Sequence, residues 1–189
     1  MIIILPYQTK WHGEFLTLGK DLRQALRDQA LRIDHIGSTA VPGLAAKDVI
    51  DIQITVRSFE PNVEKALIGA GYQRLIDIAK DHLPPESNPD PLEWSKWMFK
   101  PSVPQRPANI HVRLNGRANQ RYPLLFRDYL RSHSMVAQAY RQVKSALALY
   151  HPDNLDAYYD VKDPVCDIII GGAEDWARIS HWEPGPSDC

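Results

Sequence analysis

The chain has 189 residues, 44% of them hydrophobic and 24% charged, with a net charge of −1. That balance suits one globular domain over 1–189, and no membrane partner is expected, since no run approaches the roughly 20 apolar residues of a spanning helix. The two cysteines, Cys166 and Cys189, fit neither a disulfide framework nor a zinc motif, so a cytoplasmic location is expected.

In chain order, the apolar run 2–5 before Pro6 reads as a short strand, too short for a signal-peptide core. Trp11, Phe15, Leu18, Leu22, Ala25 and Leu26 recur at spacings of mostly three and four, predicting an amphipathic helix over about 9–30. A strand over 33–36 is closed by Gly37, and the β-branched run 49–56 is a second strand. A helix over 61–68 starts near Pro61 and stops at Gly69 and Gly71, with a strand over 72–76 behind it. The stretch 81–107 holds seven of the fifteen prolines and is expected to be largely loop. Within it, 94–99 reads as an interrupted strand that hairpins with 109–114. Helices are expected over 122–132, 134–150, 154–162 and 164–179, with Asp163 capping the last before Pro164. The fold class is therefore α+β: a small mixed sheet flanked by helices over 1–116, then a helical part over 117–189.

Charge is unevenly placed. Residues 110–150 carry seven cations against Asp128 alone, while the rest of the chain to its end carries nine acids against Lys162 and Arg178. A basic stretch followed by an acidic one points either to an anionic ligand or to neighbouring helices that pair on the surface.

The residues with chemical potential lie around 37–56. A strand running into Gly37-Ser38-Thr39 can cradle an anion, because glycine permits close approach and amides and hydroxyls donate; the same residues also suit a turn capped by Ser38 or Thr39. Alternation along 49–56 puts Ile50, Ile52, Ile54 and Val56 on one face and Asp51, Gln53 and Thr55 on the other. A mid-strand aspartate is costly to bury without a partner, and Lys47 or Arg113 is the structural alternative to a ligand. The same parity places Asn109, His111 and Arg113 together, so neighbouring strands would form one polar patch. Arg127 and Arg131 are four apart on one helix, as are Tyr140 and Lys144 on the next, and such cations can reach phosphate oxygens. A nucleic-acid partner is not expected, since the overall charge is near neutral and no binding motif is present.

With these residues assembled, the chain resembles the GrpB family, a set placed with nucleotidyltransferase-like folds. The resemblance rests on HIGSTAVPGLAAKDVIDIQITV from His35 to Val56. It continues in NIHVR from Asn109, FRDYLR from Phe126, AYRQVK from Ala139 and YYDVKDP around Lys162, with Trp11 and Phe15 also fitting. A similar domain occurs fused behind dephospho-coenzyme A kinase in some actinobacteria. This chain lacks the GxxxxGK[ST] phosphate loop, so kinase activity is not carried over.

The resemblance implies binding of a nucleotide or other phosphorylated small molecule, with nucleotidyl or phosphoryl transfer as the reaction class or a non-catalytic binding module as the alternative. Its pattern is a strand ending in Gly-Ser, about a dozen residues, Asp-hydrophobic-acid, and a third acid on a later strand, the acids holding Mg²⁺. Gly37-Ser38 and Asp51 match; Gln53 stands at the second acid and His111 on the face of the third. The implied site has Asp51 as a single Mg²⁺ ligand or base and His111 as acid or base. Its binding residues are His35, Gly37, Ser38, Thr39, Lys47, Gln53, Arg113, Arg127, Arg131, Tyr140 and Lys144.

Overall fold

The computed structural model describes all 189 residues. The apolar stripe forms helix α1, Lys10–Leu26, with Trp11, Phe15, Leu22 and Leu26 fully buried. Strand β1, Arg32–Ile36, follows, then β2, Ile50–Val56, helix α2, Pro61–Gly69, and a short β3, Tyr72–Arg74. The expected strand over 2–5 does not form. Pro6 lacks an N–H, and that run makes a single bridge between Leu5 and Ala46.

The proline-rich stretch is more structured than its composition implies. It contains α3, Pro91–Trp94, capped by Asp90, and β4, Lys96–Pro101, which pairs antiparallel with β5, Ala108–Leu114, as expected for the hairpin. The sheet order is β1-β2-β5-β4-β3, with only β2 and β5 parallel. This is a small mixed sheet in an α+β fold.

Register decides what each face carries. Ile33, Ile50, Ile52, Ile54, Val56, Ile110, Val112 and Phe99 pack on α1 and α2 in the main core. The pairings Asp51↔Asn109, Gln53↔His111 and Thr55↔Arg113 put the polar residues of β2 and β5 on the opposite face. That face looks toward the helical part.

The helical part is α4, Ala118–Ser132, α5, Ser134–Tyr150, and α6, Leu155–Ser180. Helix α4 begins a turn before the expected position because the Glu93 carboxylate accepts the Ala118 N–H at 2.8 Å and supplies the cap from another element. Helix α6 runs unbroken through Pro164, where two helices with a cap at Asp163 are expected from sequence. Tyr158 before the proline and Cys166, Ile169, Ile170 and Ala173 after it are all buried against other elements, and that packing holds one continuous rod. Val41 and Leu44, from the segment after the Gly-Ser turn, insert among α4, α5 and α6. They tie the two parts together beside the turn.

The C-terminal peptide lies along the free edge of β1. Ile33 N–H donates to Ser187 Oγ at 2.9 Å, the Cys189 N–H donates to Ile33 O at 3.1 Å, and the His35 N–H donates to Asp188 Oδ2 at 2.9 Å.

Candidate functional site

Between the polar face of the sheet and the helical part lies a cleft of about 710 Å³, a volume suited to a small-molecule ligand. Gly37 and Ser38 form one wall at the end of β1. Gly37 has φ +70, and a Cβ there would overlap the Asp51 carboxylate, so glycine is required both for the turn and for its contact with β2. Asp51 accepts from Asn109 Nδ2 at 2.8 Å and faces His111 Nε2 at 3.9 Å. Burial acts to raise the Asp51 pKa, but His111, Asn109 and Lys47 outweigh it, and the carboxyl titrates below its ordinary value.

His111 is oriented from behind. Arg113 Nη2 donates to His111 Nδ1 at 3.3 Å, so the neutral ring carries its proton on Nε2, directed toward Asp51. Burial and the adjacent Arg113 guanidinium push the His111 pKa down. Arg113 is itself fully engaged: it forks onto Asp81 at 2.8 and 2.9 Å and donates to Gln53 Oε1 at 2.7 Å. Asp81 also accepts from Lys96 at 2.7 Å and Asn119 at 3.0 Å. Burial of Asp81 is outweighed by Arg113 and Lys96, which hold its carboxyl far below the usual range.

On the helical side, Lys144 Nζ donates to Ser38 Oγ and to Ala45 O, both at 2.7 Å, and lies 4.6 Å from the centre of the Tyr140 ring. Lys144 is only 2% exposed and has no carboxylate within 4 Å. Burial, with Lys162 alongside, pushes its pKa down to about 7. Tyr140 is buried with its hydroxyl 3.5 Å from Cys166 Sγ, and burial drives its phenol pKa up. Lys47 stands 5.0 and 5.3 Å from the ring centres of Tyr158 and Tyr159. Tyr122 and Phe126 extend the aromatic wall.

Of the expected site residues, the cleft brings together Gly37, Ser38, Lys47, Asp51, His111, Arg113, Tyr140 and Lys144. Five others lie elsewhere. His35 pairs with Ile52 and so points into the apolar face, stacked 4.6 Å from Phe15 and 3.0 Å from Thr39 Oγ1. Thr39 is buried with it rather than turned to the cleft. Gln53 is fully buried, accepting from Arg113 and donating to Gln120 O at 2.9 Å, and does not line the cleft. Arg127 donates to His35 O at 3.0 Å and to Asp188 and Asp128, each at 2.7 Å. Arg131 forks onto Ala40 O at 3.0 and 2.8 Å. These two arginines clamp the backbone around the Gly-Ser turn and do not line the cleft.

The residues present do not fit the implied Mg²⁺. No group of three or more His, Cys, Asp or Glu side chains is arranged to hold a metal ion. Gln53 is sequestered, and Asp81 is saturated by two cations and an amide. Sequence reasoning missed Asp81, Asn119, Tyr158, Tyr159 and Lys162. The signal for Asp81 was indirect: a buried arginine on β5 needs a carboxylate, and none stands on β2 or β5 opposite it.

Fold and site together define an α+β protein with a lysine- and tyrosine-lined cleft built on a Gly-Ser turn. The family profile described as GrpB protein matches residues 1–171, and the chain belongs to the GrpB family. The crystal structure of conserved protein GrpB from Enterococcus faecalis aligns over 96% of this chain and 100% of its own, with TM-score 0.76 and 28% identity. A dephospho-CoA kinase of Mycolicibacterium paratuberculosis is 36% identical over 96% of this chain and 48% of its own length. The UPF0157 protein BH1888 of Halalkalibacterium halodurans is 31% identical over 89% of this chain and 80% of its own. The chain thus spans about half the length of its mycobacterial relative. No helix is long and apolar enough to cross a membrane.

Proposed function

We propose that the cleft binds a nucleotide or closely related phosphorylated small molecule, as a nucleotidyltransferase-like protein of the GrpB family. The supporting observation is its unbalanced charge. Lys47 and Lys100 face the cleft without a carboxylate within 4 Å, whereas Lys96, Arg113 and Lys162 are paired to acids. Unpaired cations grouped at a low-dielectric wall favour an anion. Tyr159, exposed beside Lys47, offers a flat face to a heterocyclic ring.

Calorimetry with ATP, CTP and dephospho-coenzyme A tests this, the last chosen because of the name of the mycobacterial relatives. At least one should bind, and Lys47→Ala should weaken it about tenfold, or roughly 1.4 kcal/mol. No binding by any of the three, or unchanged affinity in Lys47→Ala, overturns the reading.

The Asp51–His111 pair favours a second reading, nucleotidyl or phosphoryl transfer to an acceptor hydroxyl positioned between them. Asp51, ionised, is in the state a proton acceptor needs, and the His111 Nε2–H directed toward it is placed to orient it or to donate. Asp51→Asn should then bind the ligand with near-normal affinity but lose product formation by at least about 100-fold. Undiminished turnover in Asp51→Asn rules out that chemistry.

A further inference from the structure

We propose that Ser38 is a nucleophile with Lys144 as its general base, so that the cleft transfers a phosphoryl group from a phosphoric anhydride onto the Ser38 hydroxyl. This goes beyond ligand binding but rests on the reading that a phosphorylated molecule enters the cleft. The geometry is that of an activated hydroxyl: Ser38 Oγ is 2.7 Å from Lys144 Nζ, and the base is oriented by a third group, Ala45 O, at 2.7 Å. Gly37, with φ +70, turns the chain at the end of β1, and Ser38 stands half-buried on the cleft wall just beyond it.

The lysine is built as a base rather than as a charge. An amine kept only to attract an anion gains from solvent or from a carboxylate, and Lys144 has neither. Lys47 from the segment before β2, Asp51 on β2, Tyr140 on its own helix, and Lys162 and Cys166 on α6 surround it. Burial, with Lys162 and Lys47 alongside, lowers its pKa to about 7 against the opposing pull of Cys166 and Asp51, so that part of it is neutral at physiological pH.

In the proposed step, Ser38 Oγ attacks the terminal phosphorus of the anhydride. The Oγ–P bond forms as the bridging P–O bond breaks, and the shortened phosphate leaves with the electron pair. The Ser38 proton passes to Lys144 Nζ and can be returned to the leaving oxygen. No oxidation state changes.

The test uses a fluorophosphonate, in which Oγ–P forms, P–F breaks and fluoride departs. Intact-mass and peptide mapping of the full chain should find one adduct, on Ser38, absent in Ser38→Ala. Its rate should rise about tenfold between pH 6 and pH 8, following deprotonation of the base. Lys144→Arg keeps a charge beside Ser38 but cannot accept its proton; it should label at least about tenfold more slowly, without the pH dependence. No adduct in the wild type, an adduct that survives Ser38→Ala, or a Lys144→Arg rate equal to wild type each overturns the proposal. Should Lys144→Arg fail to fold by circular dichroism, the wild-type pH profile decides, a flat profile overturning it. Calorimetric binding of a nucleotide without Ser38 labelling overturns this proposal alone. Labelling without nucleotide binding supports the nucleophile and overturns the binding reading.

Discussion

His35 shows how one position of register separates a ligand group from a core group. Burial pushes its pKa down to about 3, with neighbouring Arg131 and Arg127 adding to the effect and Asp51 opposing it. Between pH 6.5 and 3 the unfolded chain therefore holds the extra proton, and acid favours unfolding. Stability should fall by on the order of 2 kcal/mol from pH 7 to pH 5 through this residue alone. His35→Phe, which keeps a ring against Phe15, should flatten that decline in urea titrations at the two pH values. An unchanged slope would show that other groups dominate. The parity argument that united Asp51, Asn109, His111 and Arg113 worked because it stays within single strands and one parallel pairing. It could not place His35, because the offset between β1 and β2 is set by the turn and tail contacts, and a one-residue difference exchanges the faces.

At the scale of elements, periodicity and punctuation made α1, α2, β2 and β5 legible, since each carries its own apolar rhythm between stops. Two boundaries were not legible, for opposite reasons. The start of α4 depends on Glu93, remote in sequence, and the continuity of α6 depends on packing that overrides a local breaker. Pro164 is exposed and forfeits a helical hydrogen bond without contributing to a core. Pro164→Ala should therefore raise the unfolding free energy by roughly 1–3 kcal/mol. A lower thermal midpoint in that variant would mean that the proline sets a bend the packing needs. Asp81 escaped notice because it sits in a stretch whose prolines erase any period, although that loop delivers the carboxylate that neutralises Arg113 and Lys96.

For the whole molecule, the sheet part and the helical part meet along the cleft and are fastened at its end by arginines. Arg127 is 4% exposed and joins α4 to β1 and to the C-terminal peptide. Arg127→Ala would strand Asp188 and the His35 carbonyl, at a cost of about 3 kcal/mol measured by chemical denaturation. Because its side chain stays outside the cleft, ligand affinity below the unfolding transition should be unaffected; a large loss would mean that the clamp sets cleft shape. The basic stretch seen in the sequence thus divides in two, Lys144 facing the cleft and the α4 arginines serving as braces.

The peptide from Gly185 to Cys189 occupies the outer hydrogen-bonding groups of β1 at Ile33 and the His35 N–H, and its Cys189 carbonyl oxygen accepts from Arg23 at 2.9 Å. A sheet margin without such a cover is a template on which strands of other molecules can add. Seated on that margin, residues Gly185–Cys189 should hinder such addition, and displacing them should raise self-association.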